Sequence, residues 1–318
     1  IPTPPLFSRI DRHYARYGMT EEEADILLGA FRPDIVLVSS GMTYWYPGVK
    51  ECVRFVRKRF PGVPVVAGGV YATLCESHCR AVIGPDHVVA GEAFPALEGI
   101  LSHYGLPVPS PPADNQMLLL PTVCGEAAVV RLHRGCPLRC AYCASRLLSP
   151  SFHRGDPRAA ADVVLKINRE LGTRIFAFYD DALLAGVEEG IVPFLREIVS
   201  ANAGLSFYTP NGMHLRFVNE ETTSLMKKAG FRDLRFGYES ADPRFHRSYD
   251  TKLDANTAPE AVATLKKAGF EGGQIALYII AGLPGQHRAD IEETLRHASE
   301  LGVRLVLALC ADLDGPPV

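Results

Sequence analysis

The stretch Arg134-Gly-Cys-Pro-Leu-Arg-Cys-Ala-Tyr-Cys143 follows directly after the apolar run Ala128-Val-Val-Arg-Leu132. Its three cysteines, Cys136, Cys140 and Cys143, are spaced so that three thiolates can fold around one iron–sulfur cluster. Such clusters usually take four cysteines. A cluster held by three leaves one iron open to bind a small molecule. We therefore interpret this loop as part of the active site of an enzyme.

The composition is that of a globular protein with a sizeable core. The chain has 318 residues, 47% of them hydrophobic and 22% charged, which suits two domains. A formal net charge of -3 without a dense basic run gives no sign of nucleic-acid or membrane-surface binding. The apolar runs are too short to span a bilayer, and no signal peptide is recognisable. Eight cysteines, three of them clustered, favour a reducing compartment, so we expect a cytoplasmic protein. Because the chain begins with Ile1, we also expect residues before it to be missing.

The first third alternates short apolar runs with one amphipathic segment. We predict strands at 34–40, 63–69 and 86–92, and a helix at 49–60 whose apolar residues recur at helical spacing. Continuous apolar strands separated by a crossover predict a parallel sheet covered on both sides. Ligands of such sheets lie beyond the carboxyl ends of the strands. The residues placed there are Ser39, Ser40, Gly68, Gly69, Gly91 and Glu92.

A proline-rich stretch at 107–121 predicts a stiff linker, with a domain boundary near Pro112 that separates residues 1–112 from 113–318. Beyond it, strand and helix patterns alternate six times, with strands at 128–132, 174–179, 205–208, 233–238, 274–281 and 304–309. The sequence Lys-Lys-Ala-Gly-Phe occurs at 227–231 and 266–270, each time ending a helix with glycine. Thr257 and Glu260 form a capping-box pattern. We predict an α/β chain in which a partial (β/α)6 TIM-like barrel follows a Rossmann-like domain.

Barrel chemistry collects at the carboxyl ends of the strands. The residues expected at this mouth are the cysteine loop, Asp180 and Asp181, Asn211 and Gly212, Glu239 and Ser240, the segment 282–285, and Asp312.

The cysteine loop, together with its position after the first barrel strand, resembles the cluster loop of radical S-adenosylmethionine enzymes. The resemblance implies that Cys136, Cys140 and Cys143 hold a 4Fe–4S cluster and that the open iron binds S-adenosylmethionine. It further implies reductive cleavage to methionine and a 5′-deoxyadenosyl radical, which abstracts hydrogen from an organic substrate. The electron would come from a donor such as flavodoxin or ferredoxin. Nothing in the chain identifies the substrate.

Further segments resemble motifs of the same family. Tyr142 occupies the aromatic position that packs the adenine. Tyr179-Asp180-Asp181 is similar to the motif that receives the methionine amino group, although a helix cap is the alternative for one aspartate. Phe236-Gly-Tyr-Glu-Ser240 resembles the fourth-strand motif, in which Glu239 or Ser240 meets the ribose or methionine carboxylate.

Two more segments extend the set of candidates. The stretch that contains Gly282 resembles the segment whose backbone lies along the adenine, although glycine and proline alone would indicate only a turn. Asn211 is a further cofactor-binding candidate. With His214 and Arg216 it is also a candidate to face substrate.

The first third resembles the cobalamin-binding domain of one subgroup. The loops that resemble the cofactor's nucleotide-tail site contain Ser39, Ser40, Thr43, Gly68, Gly69, Thr73 and Glu92. Small residues suit a planar group that slides along the backbone. Trp45, with its tyrosine neighbours, lies in the loop expected to face the corrin, with domain packing as the alternative. Bound cobalamin implies methyl transfer to an unactivated carbon.

One motif of that domain departs from the pattern. The Asp-x-His-x-x-Gly sequence that supplies a cobalt ligand in some relatives is absent, because Arg16 follows Asp11 and His13 where glycine should stand. Cobalamin would therefore lack a histidine ligand from this domain. The alternative is a domain that serves as a scaffold and holds no cofactor.

A zinc-stabilised binding module is the remaining alternative. Cys124 would be the fourth ligand beside the three cysteines, and His133 and His153 are also near in sequence. Structural zinc normally takes two close ligand pairs, whereas here three cysteines crowd into one loop. Iron and sulfide content distinguishes the two classes.

Overall fold

A computed structural model of the chain describes residues 18–110, 126–250, 253–254 and 256–310, and the backbone of 122–124. Pro112, the predicted boundary, lies outside these ranges, as do Asp11, His13, Arg16 and Asp312. The chain divides into two compact units, Ile1–Ala90 and Gly91–Val318. Within the described ranges, every helix is too short or too polar to span a bilayer.

The first unit is built around a three-stranded parallel sheet. Its elements are α1 (Glu21–Leu28), β1 (Val36–Ser40), α2 (Tyr46–Arg59), β2 (Val65–Gly68), α3 (Gly69–Leu74), α4 (Glu76–His78) and β3 (His87–Val88). The strand order is β1-β2-β3, and both pairings are parallel. This confirms the predicted strands and the helix between the first two. The helical crossover after β2 was not predicted, although parallel neighbours require such a connection.

The expectation that both faces of this sheet are covered holds for β2, where Val65, Val66 and Ala67 are each at most 3% exposed. It does not hold for β1, where burial alternates and Leu37 is 54% exposed. Val38 and Ser40 point to the buried side. The described helices therefore cover one side of β1 and leave Leu37 and Ser39 accessible to solvent.

The second unit contains the remaining elements. They are α5 (Ala93–His103), β4 (Thr122–Cys124), β5 (Ala127–Val130), β6 (His133–Arg134), α6 (Ser145–Leu148), β7 (His153–Arg154), α7 (Pro157–Leu171), β8 (Ile175–Phe178), α8 (Ile191–Ala201), β9 (Ser206–Tyr208), β10 (Met213–His214), α9 (Glu220–Ala229), β11 (Phe231–Glu239), α10 (Pro243–Tyr249), α11 (Thr257–Lys267), β12 (Ile275–Ala281), α12 (Arg288–Glu300) and β13 (Arg304–Leu309).

Six parallel strands of this unit lie side by side in chain order, β5-β8-β9-β11-β12-β13. This confirms the α/β class and all six predicted strands. The described strands form an open sheet, and β4 extends it by antiparallel pairing with β5. Since the strands run in the same direction, their carboxyl ends share one edge.

Buried aromatic side chains form the centre of the second unit. Phe176, Phe178, Phe207 and Phe231 lie on neighbouring strands and are each at most 1% exposed. Phe207 and Phe231 stack with ring centroids 5.3 Å apart, and Phe178 stacks on Phe231 at 5.7 Å. Burying each ring stabilises the fold by about 1.5–3 kcal/mol. This packing holds the strand ends in place.

Helix ends follow the predicted pattern with one exception. Asp156 caps α7 by accepting the backbone N–H groups of residues 158 and 159. The capping box at Thr257 is wrong, because Thr257 is already the first residue of α11. Asp254 instead accepts from the Thr257 backbone at 2.9 Å.

Gly230, in the first Lys-Lys-Ala-Gly-Phe repeat, occupies a position that other residues can hardly fill. Its φ is +99°, and a Cβ there would lie 2.1 Å from the Leu205 carbonyl oxygen. Gly172 also ends a helix with a positive φ, +71°, but open space surrounds its missing Cβ.

We expect Gly230→Ala to reduce the free energy of unfolding by about 3 kcal/mol, because backbone strain and a clash with fixed backbone add together. Gly172→Ala is the matched control and should cost about 1 kcal/mol, from the left-handed conformation alone. Urea denaturation followed by circular dichroism measures both. Equal losses in the two variants would contradict the close approach at Leu205.

Candidate functional site

One cavity of about 490 Å³ opens at the carboxyl ends of the barrel strands and brings the three cysteines together with distant polar residues. Its volume is typical of small-molecule sites. Its lining includes Cys136, Cys140, Tyr142, Cys143, Ser145, Asp181, Asn211, His214, Glu239 and Tyr278. Seven residues that we predicted to bind the cluster or S-adenosylmethionine therefore line this one cavity. They are Cys136, Cys140, Tyr142, Cys143, Asp181, Asn211 and Glu239.

The start of the cysteine loop is anchored by a buried carboxylate. Asp180, 3% exposed, accepts the backbone N–H of Leu132 at 3.0 Å and that of His133. Burial raises the pKa of Asp180 to about 7, and these hydrogen bonds oppose the rise. Its carboxylate is thus engaged with the backbone, whereas the neighbouring Asp181 lines the cavity. Burial likewise raises the pKa of Asp181.

The far end of the loop is held by Tyr142. Its hydroxyl donates to Asp250 Oδ2 at 2.8 Å, and its ring stacks on Phe245 with centroids 5.9 Å apart. Burial raises the pKa of Tyr142, so its hydroxyl remains a donor. Both partners come from α10 and the residue that follows it.

Glu239 reaches the cavity through a distortion of β11. Pairing with β12 shifts register between Gly237 and Glu239, and Glu239 has a φ of +67°. A positive φ is uncommon for a residue other than glycine, and it marks functional sites more often than chance. The side chain is 8% exposed and lines the cavity.

Tyr278 and His214 also line the cavity, although the sequence analysis did not place them in the cofactor site. Tyr278 donates to the Pro210 carbonyl at 2.9 Å and accepts from Arg235 at 3.0 Å, which holds the turn before Asn211. His214 Nε2 lies 4.0 Å from Cys136 Sγ. The signal for Tyr278 was a polar group inside the otherwise apolar strand β12.

Other predicted residues lie elsewhere. Ser240 lines a separate cavity of about 200 Å³, and its hydroxyl accepts from the Asp242 backbone at 3.1 Å. The N–H of Gly282, which follows β12, donates to Gln286 at 2.9 Å, while Ile280 within β12 lines the cysteine cavity. Arg216, a candidate to face substrate, borders a different cavity.

The donor set suits an iron–sulfur cluster, because three thiols share a cavity with room for the cluster and a bound molecule. In the described ranges, however, no group of three histidine, cysteine or acidic side chains is already arranged to hold a metal ion. Burial raises the pKa of Cys136 to about 11, so metal binding must displace its proton.

The two histidines that we considered as additional zinc ligands are not placed with the cysteines. His133 is fully buried, and burial lowers its pKa to about 4. Neither His133 nor His153 lines the cysteine cavity. Cys124 belongs to β4, and its side chain lies outside the described part of the chain.

In the first unit, the predicted small residues cluster where β1 and β2 end. The Ser40 hydroxyl donates to the Gly68 carbonyl at 2.6 Å, and the Ser40 backbone forms a parallel β-bridge with Gly69. The hydroxyl therefore stabilises the end of the sheet. Thr73 donates to the Gly69 carbonyl at 2.8 Å. Ser39 is exposed and Thr43 is buried. Trp45, 57% exposed, follows in a short helical turn.

Glu92 falls in the second unit. It precedes α5 and forms an ion pair with Arg134, two residues before Cys136.

Comparison with known proteins shows similarity in both sequence and fold. Over 292 residues the chain is 21% identical to the anaerobic magnesium-protoporphyrin IX monomethyl ester cyclase of Synechocystis sp., covering 80% of this chain and 58% of that protein. Over 191 residues it is 23% identical to the cytidylyl-2-hydroxyethylphosphonate methyltransferase of Streptomyces wedmorensis, covering 57% of this chain and 34% of that protein. The chain thus spans less than two thirds of these curated relatives.

The fold is similar to that of a solved structure of the radical S-adenosylmethionine methyltransferase TsrM from Kitasatospora setae, with cobalamin and a 4Fe–4S cluster bound. The TM-score is 0.73 at 14% sequence identity, covering 91% of this chain and 66% of that chain. At this identity the likeness concerns the fold.

Two family models match the chain. The model described as the B12 binding domain matches residues 15–101, in agreement with the resemblance seen in the first third. The model described as the Radical SAM superfamily matches residues 130–298, more than half of the chain. This match contains the cysteine loop and most of the cavity, and it confirms the family predicted from that loop. The chain belongs to the radical SAM superfamily.

Proposed function

We propose that this protein is a radical S-adenosylmethionine enzyme that transfers a methyl group to an organic substrate with the help of cobalamin. The observation that carries the first part is the shared cavity, where Cys136, Cys140 and Cys143 meet Asp181, Asn211 and Glu239. These residues come from the ends of four different strands. Surface residues gathered by chance would not combine three thiols with oriented acids at one barrel mouth.

In this proposal the three cysteines hold a 4Fe–4S cluster, and Tyr142, Asp181, Asn211 and Glu239 hold S-adenosylmethionine. When bound, the cluster supplies the electron for reductive cleavage of S-adenosylmethionine. Asp181 and Glu239 present carboxylates that can accept hydrogen bonds from amino and hydroxyl groups.

The same residues also shape the environment of the reaction. The aromatic ring of Tyr142 would pack against the cofactor, and the apolar side chains of Leu138 and Ile280 in the cavity wall would help to exclude water. Exclusion of water strengthens the electrostatic interactions within the cavity.

Asp180 has a positioning role in this proposal. Its carboxylate holds the backbone that leads into the cysteine loop, and its neighbour Asp181 faces the cavity. Ser240 and Gly282 support the adjacent turns.

The cobalamin part of the proposal rests on the first unit. Small residues Ser39, Gly68 and Gly69 stand at the carboxyl ends of β1 and β2, where parallel sheets bind ligands. The exposed ring of Trp45 is available to a large planar group. Thr43 and Thr73 complete the set within the first unit, together with Ser40, whose hydroxyl also hydrogen-bonds to the Gly68 carbonyl. A methyltransferase among the curated relatives and the TsrM fold support this direction.

The enzyme also needs a reductant and a substrate. We propose a flavodoxin or ferredoxin as the electron donor and the cytoplasm as the location.

We expect Cys140→Ala to abolish both cluster assembly and production of 5′-deoxyadenosine, because two thiolates do not replace three. Iron and sulfide content after anaerobic reconstitution, and chromatography of reaction products, measure the two effects. Cys52→Ala, at an exposed position in the first unit, makes the same change and should leave both unaffected. Retained cleavage in Cys140→Ala would refute the assignment, and zinc without iron in the unaltered protein would favour the binding module.

We expect Ser39→Phe to weaken hydroxocobalamin binding by about tenfold or more, because the added ring occupies the end of β1 without entering the core. Equilibrium dialysis with visible absorption measures the dissociation constant. Lys58→Phe, on the exposed face of α2, is the control and should bind as the unaltered protein does. If the unaltered protein holds no corrin but still cleaves S-adenosylmethionine, the first unit is a scaffold without cofactor.

A further inference from the structure

A buried histidine and aspartate lie between the cysteine loop and the end of β11. His246, in α10, and Asp250 are 5% and 4% exposed. His246 Nδ1 lies 2.9 Å from Asp250 Oδ1, and His246 Nε2 lies 2.8 Å from the Ser240 carbonyl oxygen. The second carboxylate oxygen of Asp250 accepts the Tyr142 hydroxyl at 2.8 Å.

The partners determine where the protons are. A carbonyl can only accept, so Nε2 of His246 must donate to Ser240. An ionised Asp250 likewise requires a proton on Nδ1. Burial disfavours the charged imidazole, but hydrogen bonds to Asp250 and Ser240, and the charges of Asp250 and Glu239, raise the pKa of His246 overall. His246 and Asp250 thus form a buried, hydrogen-bonded pair.

One side of this pair holds the cysteine loop. Asp250 receives the Tyr142 hydroxyl, and the neighbouring Tyr249 carbonyl accepts the backbone N–H of Ala141 at 2.7 Å. Ala141 and Tyr142 are the two residues between Cys140 and Cys143. Movement of Asp250 would therefore move the segment that sets the spacing of these two thiols.

The other side of the pair holds the strained turn at Glu239. The Ser240 N–H donates to the Tyr238 carbonyl at 2.8 Å, across a residue with a φ of +67°. A hydrogen bond between residues i and i+2 around a central residue of positive φ is the pattern of a γ-turn of the rare, strained type. Such strain persists only where the surroundings over-determine it. The hydrogen bond from His246 to the Ser240 carbonyl is one of these constraints.

We propose that His246 and Asp250 are positioning residues that couple the cysteine loop to Glu239, so that cluster and S-adenosylmethionine are held in one geometry. The inference rests on the proposed function and deepens it. The hydrogen-bonded chain runs from the Tyr142 hydroxyl to the Ser240 carbonyl, next to Glu239. Tyr142 and Glu239 line the same cavity, although 97 residues separate them in sequence. A pair that served stability alone would not need to contact one cavity residue and the neighbour of another.

The test replaces His246 by glutamine, which can donate to Ser240 or to Asp250 but cannot bridge both. We expect reconstituted His246→Gln to bind S-adenosylmethionine about 10- to 100-fold more weakly per assembled cluster, as is typical when partners behind metal-site residues are removed. Affinity is measured from the change in the electron paramagnetic resonance signal of the reduced cluster on titration.

The control is Asn168→Ala. Asn168 donates to the Thr173 carbonyl at 2.9 Å, at the amino end of β8, away from the cavity. This variant loses a partly buried hydrogen bond, so its melting temperature should fall while its affinity for S-adenosylmethionine stays unchanged. The pair of variants separates positioning from a loss of stability.

A second measurement needs no cluster. In the apoprotein, we expect iodoacetamide to alkylate Cys140 about 2- to 10-fold faster in His246→Gln than in the unaltered protein, because the loop loses an anchor of ordinary hydrogen-bond strength. Mass spectrometry quantifies the modified peptide. Tyr142→Phe removes only the hydroxyl that donates to Asp250, and it replaces His246→Gln in this test if that variant does not fold. Its Cys140 should also react faster, and combining the two changes should give less than their summed effects.

The two failures can be told apart. If the unaltered protein binds S-adenosylmethionine normally and His246→Gln shows the same affinity and the same alkylation rate, the positioning role is overturned. The same holds if Asn168→Ala alters both readouts equally. If the unaltered protein assembles no cluster, the proposed function fails, and the alkylation rates alone decide the role of the pair.

Discussion

The structure of the candidate site depends on how the chain leaves strand β5. Two consecutive backbone N–H groups, at Leu132 and His133, are buried and lie beyond the pairing of β5 with β8. Buried donors without partners cost about 1–3 kcal/mol each. Asp180 supplies those partners from the end of β8, and the N–H groups in turn compensate its buried carboxylate. These hydrogen bonds between Asp180 and the backbone set the direction in which the cysteine loop leaves β5.

The remainder of the loop is held by residues that follow β11. Tyr142 and the backbone of Ala141 contact the end of α10, which follows β11. The loop is thus tied to the second and fourth parallel strands, and the aromatic core keeps those strands in place. A metal site made of one short segment gains its rigidity from such partners rather than from its own residues. This explains why functional and structural roles mix closely among neighbouring residues, as in Asp180 beside Asp181 and Glu239 beside Ser240.

Three locally unfavourable features of the second unit occur at the cavity. Glu239 has a positive φ, β11 shifts register beside it, and Tyr278 places a hydroxyl within an apolar strand. Sequences that fold well agree with local preferences nearly everywhere, so exceptions indicate positions under functional constraint. In the first unit, by contrast, small residues at the strand ends agree with local preferences, and Ser40 satisfies its hydrogen bonds within the sheet.

The amino-acid sequence by itself determined the strand order of the barrel, the glycine at Gly230 that ends a helix, and the cysteine loop with its family. These follow from local periodicity, turn chemistry and spacing, which neighbouring residues encode. Only the tertiary structure decided that Asp181 and Glu239 line the cavity while Asp180 and Ser240 support the backbone. Adjacent polar residues are equally good candidates in a sequence, but register and backbone twist turn one toward the cavity and the other away from it. The contact of Tyr142 with Asp250 joins residues 108 positions apart, and no local pattern encodes it.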